Sequence, residues 1–158
     1  MNFNNFTIKA QESLQKAIEI ARGKNQQMIE VTHILKAIMS VGDNVTNFLF
    51  NKLGVNGQNL ERVVDAEIES LPRVSGGEPM LSRETNAVFQ RAADFASKMG
   101  DQFVSIEHIL LGILDEKNSA SRMMKDAGIS LDHLQAAIND LRKGEKVTSQ
   151  TAEDTYQA

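Results

Sequence analysis

The sequence predicts an all-α domain of eight helices, arranged as two four-helix repeats related by a pseudo-two-fold axis. One segment occurs twice: the run from Gln26 to Met39 reappears, about 75 residues later, as the run from Asp101 to Leu114. In both runs the apolar residues recur at i, i+3, i+4, i+7 and i+8, which is the spacing of one buried helix face. Two copies are too few for an open solenoid, in which several neighbours bury each repeat. We therefore expect a closed globule.

Each repeat is predicted to begin with a long helix, from Thr7 to Arg22 in repeat one and from Ser82 to Lys98 in repeat two. Thr7 and Ser82 are expected to cap these helices, because a hydroxyl can accept the free N–H groups of a helix start. Ile8 is expected to face inward with the other apolar residues of its helix. The central helix, with the duplicated stripe, follows in each repeat.

Two shorter helices complete each repeat. Gly54 and Gly128 are expected to end the third helices, because glycine tolerates the left-handed conformation that follows a helix. Asn56 and Ser130 are then expected to cap the fourth helices, and Val63 is placed on the inward face of the first of these.

Composition predicts where the repeats, the joint between them and the linker begin and end. Pro72 and Pro79 flank a segment that a helix could not hold, and from Gly144 onwards apolar residues nearly vanish. The predicted organisation is a double-repeat domain over residues 1–142, comprising repeat one at 6–71, a joint at 72–80 and repeat two at 81–142, followed by a flexible linker at 143–158.

Composition excludes several classes of function. The formal net charge of -4 argues against a general binder of nucleic acid or anionic membranes, which would need a basic face. The chain has no cysteine, which fits a reducing, cytoplasmic location. No window approaches the roughly 20 apolar residues of a membrane span.

Catalytic and metal-binding motifs are missing from the sequence. His33 and His108 occupy equivalent positions, but zinc needs three or four convergent ligands and no H-E-x-x-H spacing occurs, so packing at the helix start is the favoured interpretation. Neither a G-x-S-x-G nucleophile motif nor a Walker A loop is present. We therefore expect a binding module with no enzymatic activity, no metal and no cofactor in this chain.

The duplicated motif resembles the double Clp N-terminal repeat, which opens the ClpA, ClpB and ClpC chaperones of the AAA+ class. The resemblance covers about residues 1–142 and is carried by Gln27-x-Ile29-Glu30-x-x-His33-Ile34-Leu35 and by the run from Gly100 to Leu114. Two further segments resemble the ClpB branch of the family. They are the joint from Leu71 to Gly77, and Gly144-Glu145-Lys146-Val147 followed by Ala152-Glu153-Asp154-x-x-Gln157-Ala158.

This resemblance implies the substrate-binding N-terminal domain of a disaggregase that acts in the stress response. Such a domain captures unfolded or aggregated polypeptide for a hexameric ring, which threads it with ATP and magnesium and cooperates with a DnaK-type chaperone. The positions that the family implicates in substrate binding fall here on Thr7, Asp101 and Glu107, with Phe95 and Arg91 nearby. For Thr7 the structural alternative is helix capping, for Glu107 a first-turn charge, and for Phe95 a place in the core.

Two other functions compete with this one. The N-domain of a ClpC- or ClpA-type, protease-associated unfoldase would dock adaptor proteins or phosphorylated arginine, and guanidinium recognition would need paired carboxylates. Glu107 supplies one carboxylate, but Thr32 stands at the equivalent position of repeat one. A stand-alone hydrolase or metal enzyme is the third possibility, which the missing motifs disfavour.

Overall fold

The computed structural model describes residues 2–156 and, within that range, confirms an all-α fold of eight α-helices. No helix among these residues is long and apolar enough to cross a membrane. The helices are α1 Ile8–Gly23, α2 Val31–Val41, α3 Asp43–Leu53, α4 Gly57–Ser70, α5 Arg83–Lys98, α6 Ile106–Asp115, α7 Ser119–Asp126 and α8 Leu131–Arg142.

Short strands of the two repeats pair with each other. β1 (Met28–Ile29), which precedes α2 of repeat one, pairs in parallel with β2 (Met80–Leu81), which leads into α5 of repeat two. The equivalent pair joins Phe6, before α1, to Val104, before α6. In each case the chain before the first helix of one repeat pairs with the chain before the second helix of the other repeat.

The helices also cross between repeats. Within each repeat the first helix packs on the second, as α1 on α2 and α5 on α6, but α3 packs on α8 and α4 packs on α7. The central helices α2 and α6 lie within this arrangement and are buried along most of their length. The third and fourth helices also pack on the central helix of their own repeat, so the two repeats share one core.

The predicted helix caps are confirmed. The Thr7 hydroxyl accepts the N–H of Ala10 at 3.1 Å, and the side chains of Ser82, Asn56 and Ser130 cap α5, α4 and α8 in the same way. Gly54 ends α3 with a left-handed φ of 69°.

Two predicted inward residues are exposed instead. Ile8 is 44% exposed and Val63 is 49% exposed, so both predictions were wrong. Val63 sits at the edge of the apolar stripe of α4, where a periodic pattern separates inside from outside least sharply. Ile8, the first residue of α1, lies on the side of the helix opposite to Ala10 and Ala17.

The end of the described chain differs from the flexible linker that composition suggested. Residues 145–156, here called the strap, lie against the domain and end in a short 3₁₀ helix, Ala152–Thr155. Val147 and Ala152 are buried, and the carbonyls of Val147 and Gln150 accept the N–H groups of Gln102 and Ile8, both at 2.8 Å. The strap therefore connects the loop before α6 with the start of α1. Residues 157 and 158 of the expected linker lie outside the described part.

Substitution of Gly112 would test the close packing of α6 on α5. A Cβ atom at Gly112 would lie 2.7 Å from the carbonyl oxygen of Val88 and 3.1 Å from the amide nitrogen of Ala92. We expect Gly112→Ala to lower the free energy of unfolding by about 1–3 kcal/mol, because backbone atoms would have to move. Gly23→Ala is the matched control, since its Cβ would meet open space. Urea denaturation compares the two variants, and equal stabilities would contradict this packing.

Candidate functional site

A histidine closes a capping box at the start of each central helix. In α2 the Nδ1 atom of His33 accepts the N–H of Glu30 at 2.9 Å, and in α6 the Nδ1 atom of His108 accepts the N–H of Ser105 at 2.8 Å. Both imidazoles are fully buried. Since Nδ1 is the acceptor in each ring, the proton of the neutral imidazole is on Nε2, which is free to donate to a second group.

In repeat one the group that accepts the hydrogen bond from Nε2 is neutral. Nε2 of His33 lies 2.7 Å from Oε1 of Gln26, whose amide nitrogen donates to the carbonyl of Ile68 at 2.7 Å. Burial, and then the charge of Lys24, lower the pKa of His33 to about 4. His33 is therefore a neutral, structural residue near pH 7.

In repeat two the same place is occupied by charged groups. Nε2 of His108 lies 2.7 Å from Oδ2 of Asp101, which also accepts from Arg142 at 2.9 Å, while Oδ1 accepts the N–H of Val147 at 2.9 Å. Burial opposes ionisation of Asp101, but the hydrogen bonds from His108 and Val147 and the charge of Arg142 outweigh it and lower its pKa to about 2. Asp101 thus joins α6, α8 and the strap.

Glu107 is the second buried carboxylate beside Arg142. Its Oε2 atom accepts from Nε of Arg142 at 3.0 Å, from the Ser105 hydroxyl at 2.9 Å and from the Tyr156 hydroxyl at 2.7 Å. The side chain of Glu107 is fully buried and that of Arg142 is 3% exposed. Burial, and then the charge of Glu107, raise the pKa of Tyr156. A buried guanidinium shared by two carboxylates is a costly arrangement unless every partner is present.

Glu153, on the strap, is the third carboxylate of this cluster. Its Oε2 atom accepts from the Thr7 hydroxyl at 2.6 Å and from the N–H of Ile106, the first residue of α6, at 3.0 Å. Burial, and then the charge of Glu107, raise the pKa of Glu153 to about 7. The remaining oxygens, Oε1 of Glu107 and Oε1 of Glu153, are buried without a partner among the described residues.

The structure divides the five predicted substrate-binding residues into two groups. Thr7, Asp101 and Glu107 come together in the buried cluster, covered by the strap, and not on an open groove. Arg91 and Phe95 lie one turn apart on α5, at partly exposed positions. Arg91 is paired with Glu116 at 2.9 Å, while Phe95 packs against the core. Glu107 lies in the first turn of α6, as the alternative interpretation expected, and its charge is buried against Arg142.

Sequence reasoning missed Arg142, Glu153 and Tyr156. A signal was available in the repeat alignment, where three neutral residues of repeat one are replaced together by ionisable ones in repeat two. The replacements are Gln26 by Asp101, Thr32 by Glu107 and Ile68 by Arg142. Two acids and one base that appear together at equivalent positions are typical of a charge cluster.

An exposed apolar patch lies at the β1–β2 pair, where the two repeats meet on the side away from Phe6 and Val104 in the repeat symmetry. Met28 and Met80, which are register partners in β1 and β2, are 42% and 69% exposed, and Val74 of the joint is 44% exposed. Leu71 and Pro72 join Met28 and Val74 around a cleft of about 190 Å³. These five residues are called the methionine patch below. Unbranched methionine side chains adapt to apolar partners of different shape.

Within residues 2–156 no three side chains of His, Asp or Glu are grouped as ligands for a metal ion. The ionisable groups of the buried cluster are engaged in helix capping, in the Arg142 ion pairs and in holding the strap. The methionine patch, by contrast, is exposed apolar surface.

Comparison with known sequences gives a match along the whole chain. Residues 5–127 match the family described as the Clp repeat (R) N-terminal domain. Over its full length the chain is 59% identical to the chaperone protein ClpB of Bacteroides thetaiotaomicron and 54% identical to that of Porphyromonas gingivalis. It spans 18% of the length of each of these relatives.

Solved structures share the fold. The N-terminal domain of Hsp104 from Candida albicans matches with a TM-score of 0.84 and 23% identity, over 95% of this chain and 99% of that one. A ClpV N-domain in complex with a VipB peptide matches with a TM-score of 0.72 and 12% identity, over 87% and 86% of the two chains. At these identities the similarity concerns the fold alone.

The raised pKa of Glu153 predicts that docking of the strap depends on pH. Its pKa is about 7 in the docked strap, against an ordinary value of 4.5. The docked state therefore binds more protons between these two values, and docking should weaken as the pH rises from about 4.5 to about 7. Tyr156 is the only tyrosine and the chain has no tryptophan, so intrinsic fluorescence reports on the strap. In Glu153→Gln this pH dependence should disappear, and a profile that matches the wild type would contradict the assignment.

The buried cluster predicts a large stability loss for Glu107→Ala. The substitution leaves the buried guanidinium of Arg142 with Asp101 alone, and breaking such a pair costs about 3–5 kcal/mol. Glu84→Ala is the matched control, because Glu84 is an exposed acid in the first turn of α5. Thermal and urea unfolding should show a large loss for Glu107→Ala and almost none for Glu84→Ala. Similar small losses would mean that Glu107 is solvated.

Proposed function

This chain belongs to the Clp repeat (R) N-terminal domain family, and on that premise we propose that it is the substrate-capture domain of a ClpB-type protein disaggregase. The observation that carries the proposal is the 59% identity, along the entire chain, to a ClpB chaperone. The remainder of the parent would supply the ATPase ring with its ATP and magnesium, a homohexameric assembly and the contact with a DnaK-type chaperone. We propose a cytoplasmic location for this parent.

We further propose that the methionine patch is the surface that captures unfolded polypeptide. An unfolded chain exposes apolar side chains, and Met28, Met80 and Val74 offer apolar area on a domain whose surface is otherwise largely polar. The patch borders the backbone of the β1–β2 pair, next to which an extended segment could lie. Adaptable side chains at such a patch suit clients of varied sequence.

The substrate-binding roles that the family resemblance implies for individual residues remain predictions. Thr7, Asp101 and Glu107 could meet a client only after the strap has left the domain, since Glu153, Val147 and Tyr156 contact them. Arg91 and Phe95 are accessible without that step and remain candidates for a secondary contact on α5. Occupation of the cluster by the strap favours the methionine patch as the primary surface.

Weak capture is the expected mode of action. A patch of this size should bind a denatured chain no more tightly than about micromolar, because ordering the client offsets most of the apolar gain. Six domains tethered to one ring would compensate, since tethering raises the effective concentration of the bound client. Binding by the domain itself would require no nucleotide.

Adaptor docking, as in ClpC- or ClpA-type unfoldases, is the alternative function. Recognition of phosphorylated arginine by paired carboxylates has no support here, because Glu107 is committed to Arg142 and its counterpart is Thr32. The ClpV N-domain with its VipB peptide supports peptide binding by this fold and not a choice between the two functions. Tight binding to one folded adaptor, without binding to denatured chains, would favour the alternative.

The test uses a permanently unfolded client, reduced and carboxymethylated α-lactalbumin with a fluorescent label. Fluorescence anisotropy should detect binding to the wild-type domain in the micromolar range without ATP. The double variant Met28→Ser/Met80→Ser should weaken binding by about tenfold, because both side chains lose their apolar contact area. Both residues are exposed, so the melting temperature should stay nearly constant.

Val63→Ser is the matched control for this experiment. Val63 is also exposed, at 49%, but it lines a different cleft between α4 and α7. Its substitution should leave client binding unchanged. If Val63→Ser and the double methionine variant weaken binding equally, or if neither does, capture at the methionine patch is wrong.

A further inference from the structure

The methionine patch carries the two most accessible thioethers of the described chain. The sequence has seven methionines and neither cysteine nor tryptophan, so thioethers are its most readily oxidised side chains. Met80 is 69% exposed and Met28 is 42% exposed, whereas the other methionines within residues 2–156 are half-buried or buried. We propose that Met28 and Met80 are a reversible oxidation site, at which a peroxide converts the methionine patch from an apolar surface into a polar one.

The β1–β2 pair holds the two side chains next to each other. Met28 and Met80 are register partners, and neighbouring strands lie about 4.8 Å apart. Successive residues of a strand point to opposite faces. The next residues, Ile29 and Leu81, pack in and against the hydrophobic core, so both methionines point outward. The N–H of Met80 donates to the carbonyl of Gln27 at 2.8 Å, which ties the two backbones together at this point. The fold itself therefore presents both thioether side chains to solvent.

The other described methionines are shielded from solvent. Three of them are half-buried and pack against the hydrophobic core, and the fourth is fully buried in α7; in this order they are Met39, Met99, Met123 and Met124. Oxygen transfer requires the oxidant to reach the sulfur atom from water. The fold should therefore direct oxidation to Met28 and Met80 and slow it at the shielded positions.

The oxidation is a two-electron oxygen transfer to sulfur. A lone pair of the sulfur atom attacks one oxygen of hydrogen peroxide, so that an S–O bond forms and the O–O bond breaks. The departing hydroxide takes up the proton of the transferred oxygen and leaves as water, and the product is methionine sulfoxide. Methionine sulfoxide reductases restore the thioether with electrons from two thiols, which become a disulfide, and the oxygen again leaves as water. Because both side chains are exposed, such an enzyme can reach them.

Oxidation replaces apolar surface by a strong dipole. A sulfoxide oxygen accepts hydrogen bonds from water, and the side chain loses the adaptable apolar contact that methionine offers to a partner. Neither Met28 nor Met80 belongs to the hydrophobic core, so the domain should keep its stability while its surface changes. Client capture by the methionine patch would then weaken in the oxidised chain. This last consequence rests on the proposed function, whereas the oxidation site does not.

Peptide mapping by mass spectrometry tests the oxidation site without any client. The full chain is treated with hydrogen peroxide, and the sulfoxide content of each methionine, Met1 included, is followed with time. Met28 and Met80 should oxidise at least about tenfold faster than the buried Met124, because the oxidant reaches their side chains directly. In urea the methionines should react at similar rates, since the fold no longer shields any of them. Equal rates in the folded chain, or the same order of rates in urea, would overturn the proposal.

Hydrophobic interaction chromatography reports on the polarity of the surface. The oxidised chain should elute earlier than the reduced chain, and treatment with methionine sulfoxide reductases A and B, which together reduce both sulfoxide epimers, should reverse the shift. Met28→Leu/Met80→Leu offers no thioether at the site, so its elution should not change with peroxide. Met123→Leu is the matched control, because it removes a half-buried thioether and should leave the shift intact. A shift in the double leucine variant as large as in the wild type would overturn the proposal.

Client binding connects the oxidation site with the proposed function. After peroxide has been removed with catalase, the oxidised wild-type chain should bind denatured α-lactalbumin about tenfold more weakly, because both side chains lose apolar contact area. The reductases should restore the affinity. For Met28→Leu/Met80→Leu the readout is the ratio of the affinities before and after peroxide, which should not change whatever the starting affinity. Client binding by the wild type that selective oxidation leaves unaltered would overturn the proposal.

The oxidation site and the proposed function fail separately. If the wild-type chain does not bind denatured α-lactalbumin, but Met28 and Met80 oxidise first and the elution shifts, the proposed function is wrong and the oxidation site stands. If Met28→Ser/Met80→Ser weakens client binding, but all methionines of the folded chain oxidise at the same rate, the capture surface stands and the oxidation site is wrong.

Discussion

The rest of the structure depends on the backbone pairing that each repeat makes with the other. The N–H of Thr7 donates to the carbonyl of Val104 at 2.9 Å, and the N–H of Ser82 donates to the carbonyl of Ile29 at 3.2 Å. These bonds bring the start of α1 beside the start of α6, and the start of α5 beside the start of α2. Two junctions of helix N-termini result, each of which brings together the positive ends of two helix dipoles.

The two junctions have diverged in the charge of the residues around them. On the side of repeat two, Asp101, Glu107 and Arg142 form a buried charge cluster, and the strap adds Glu153 to it. On the side of repeat one the neutral residues Gln26, Thr32 and Ile68 stand at the positions of Asp101, Glu107 and Arg142, and Glu30 caps α2. The duplicated fold thus holds its own tail at one junction and not at the other.

Much of the fold could be predicted because repetition and helical period are local signals. The order of the helices, the caps at Thr7, Ser82, Asn56 and Ser130, and the turn at Gly54 all follow from residues close together in the chain. Val63 was misplaced because it stands at the edge of an apolar stripe, where tertiary neighbours decide exposure, and Ile8 was misplaced because it is apolar but lies opposite the buried face of α1.

The candidate site was predicted less well because its contacts join residues far apart in sequence. The strap looked like a linker since its apolar residues are few, but Val147 and Ala152 are each placed in a buried position and its polar atoms pair with Thr7, Asp101 and Glu107. Composition cannot register such placement. Comparison of the repeats could have done so, because Asp101, Glu107 and Arg142 all replace neutral residues.

Amide hydrogen exchange, resolved residue by residue by NMR, tests the central claim of two equivalent junctions of which the strap fills one. The Ile106 amide is bonded to the Glu153 carboxylate, whereas Val31, at the equivalent position, lines a cleft that no residue of the strap lines. The account predicts slow exchange at Ile106 that becomes fast in Glu153→Ala, and fast exchange at Val31 in both proteins. Equal exchange rates at the two amides in the wild-type chain, or an Ile106 rate that ignores Glu153→Ala, would contradict it.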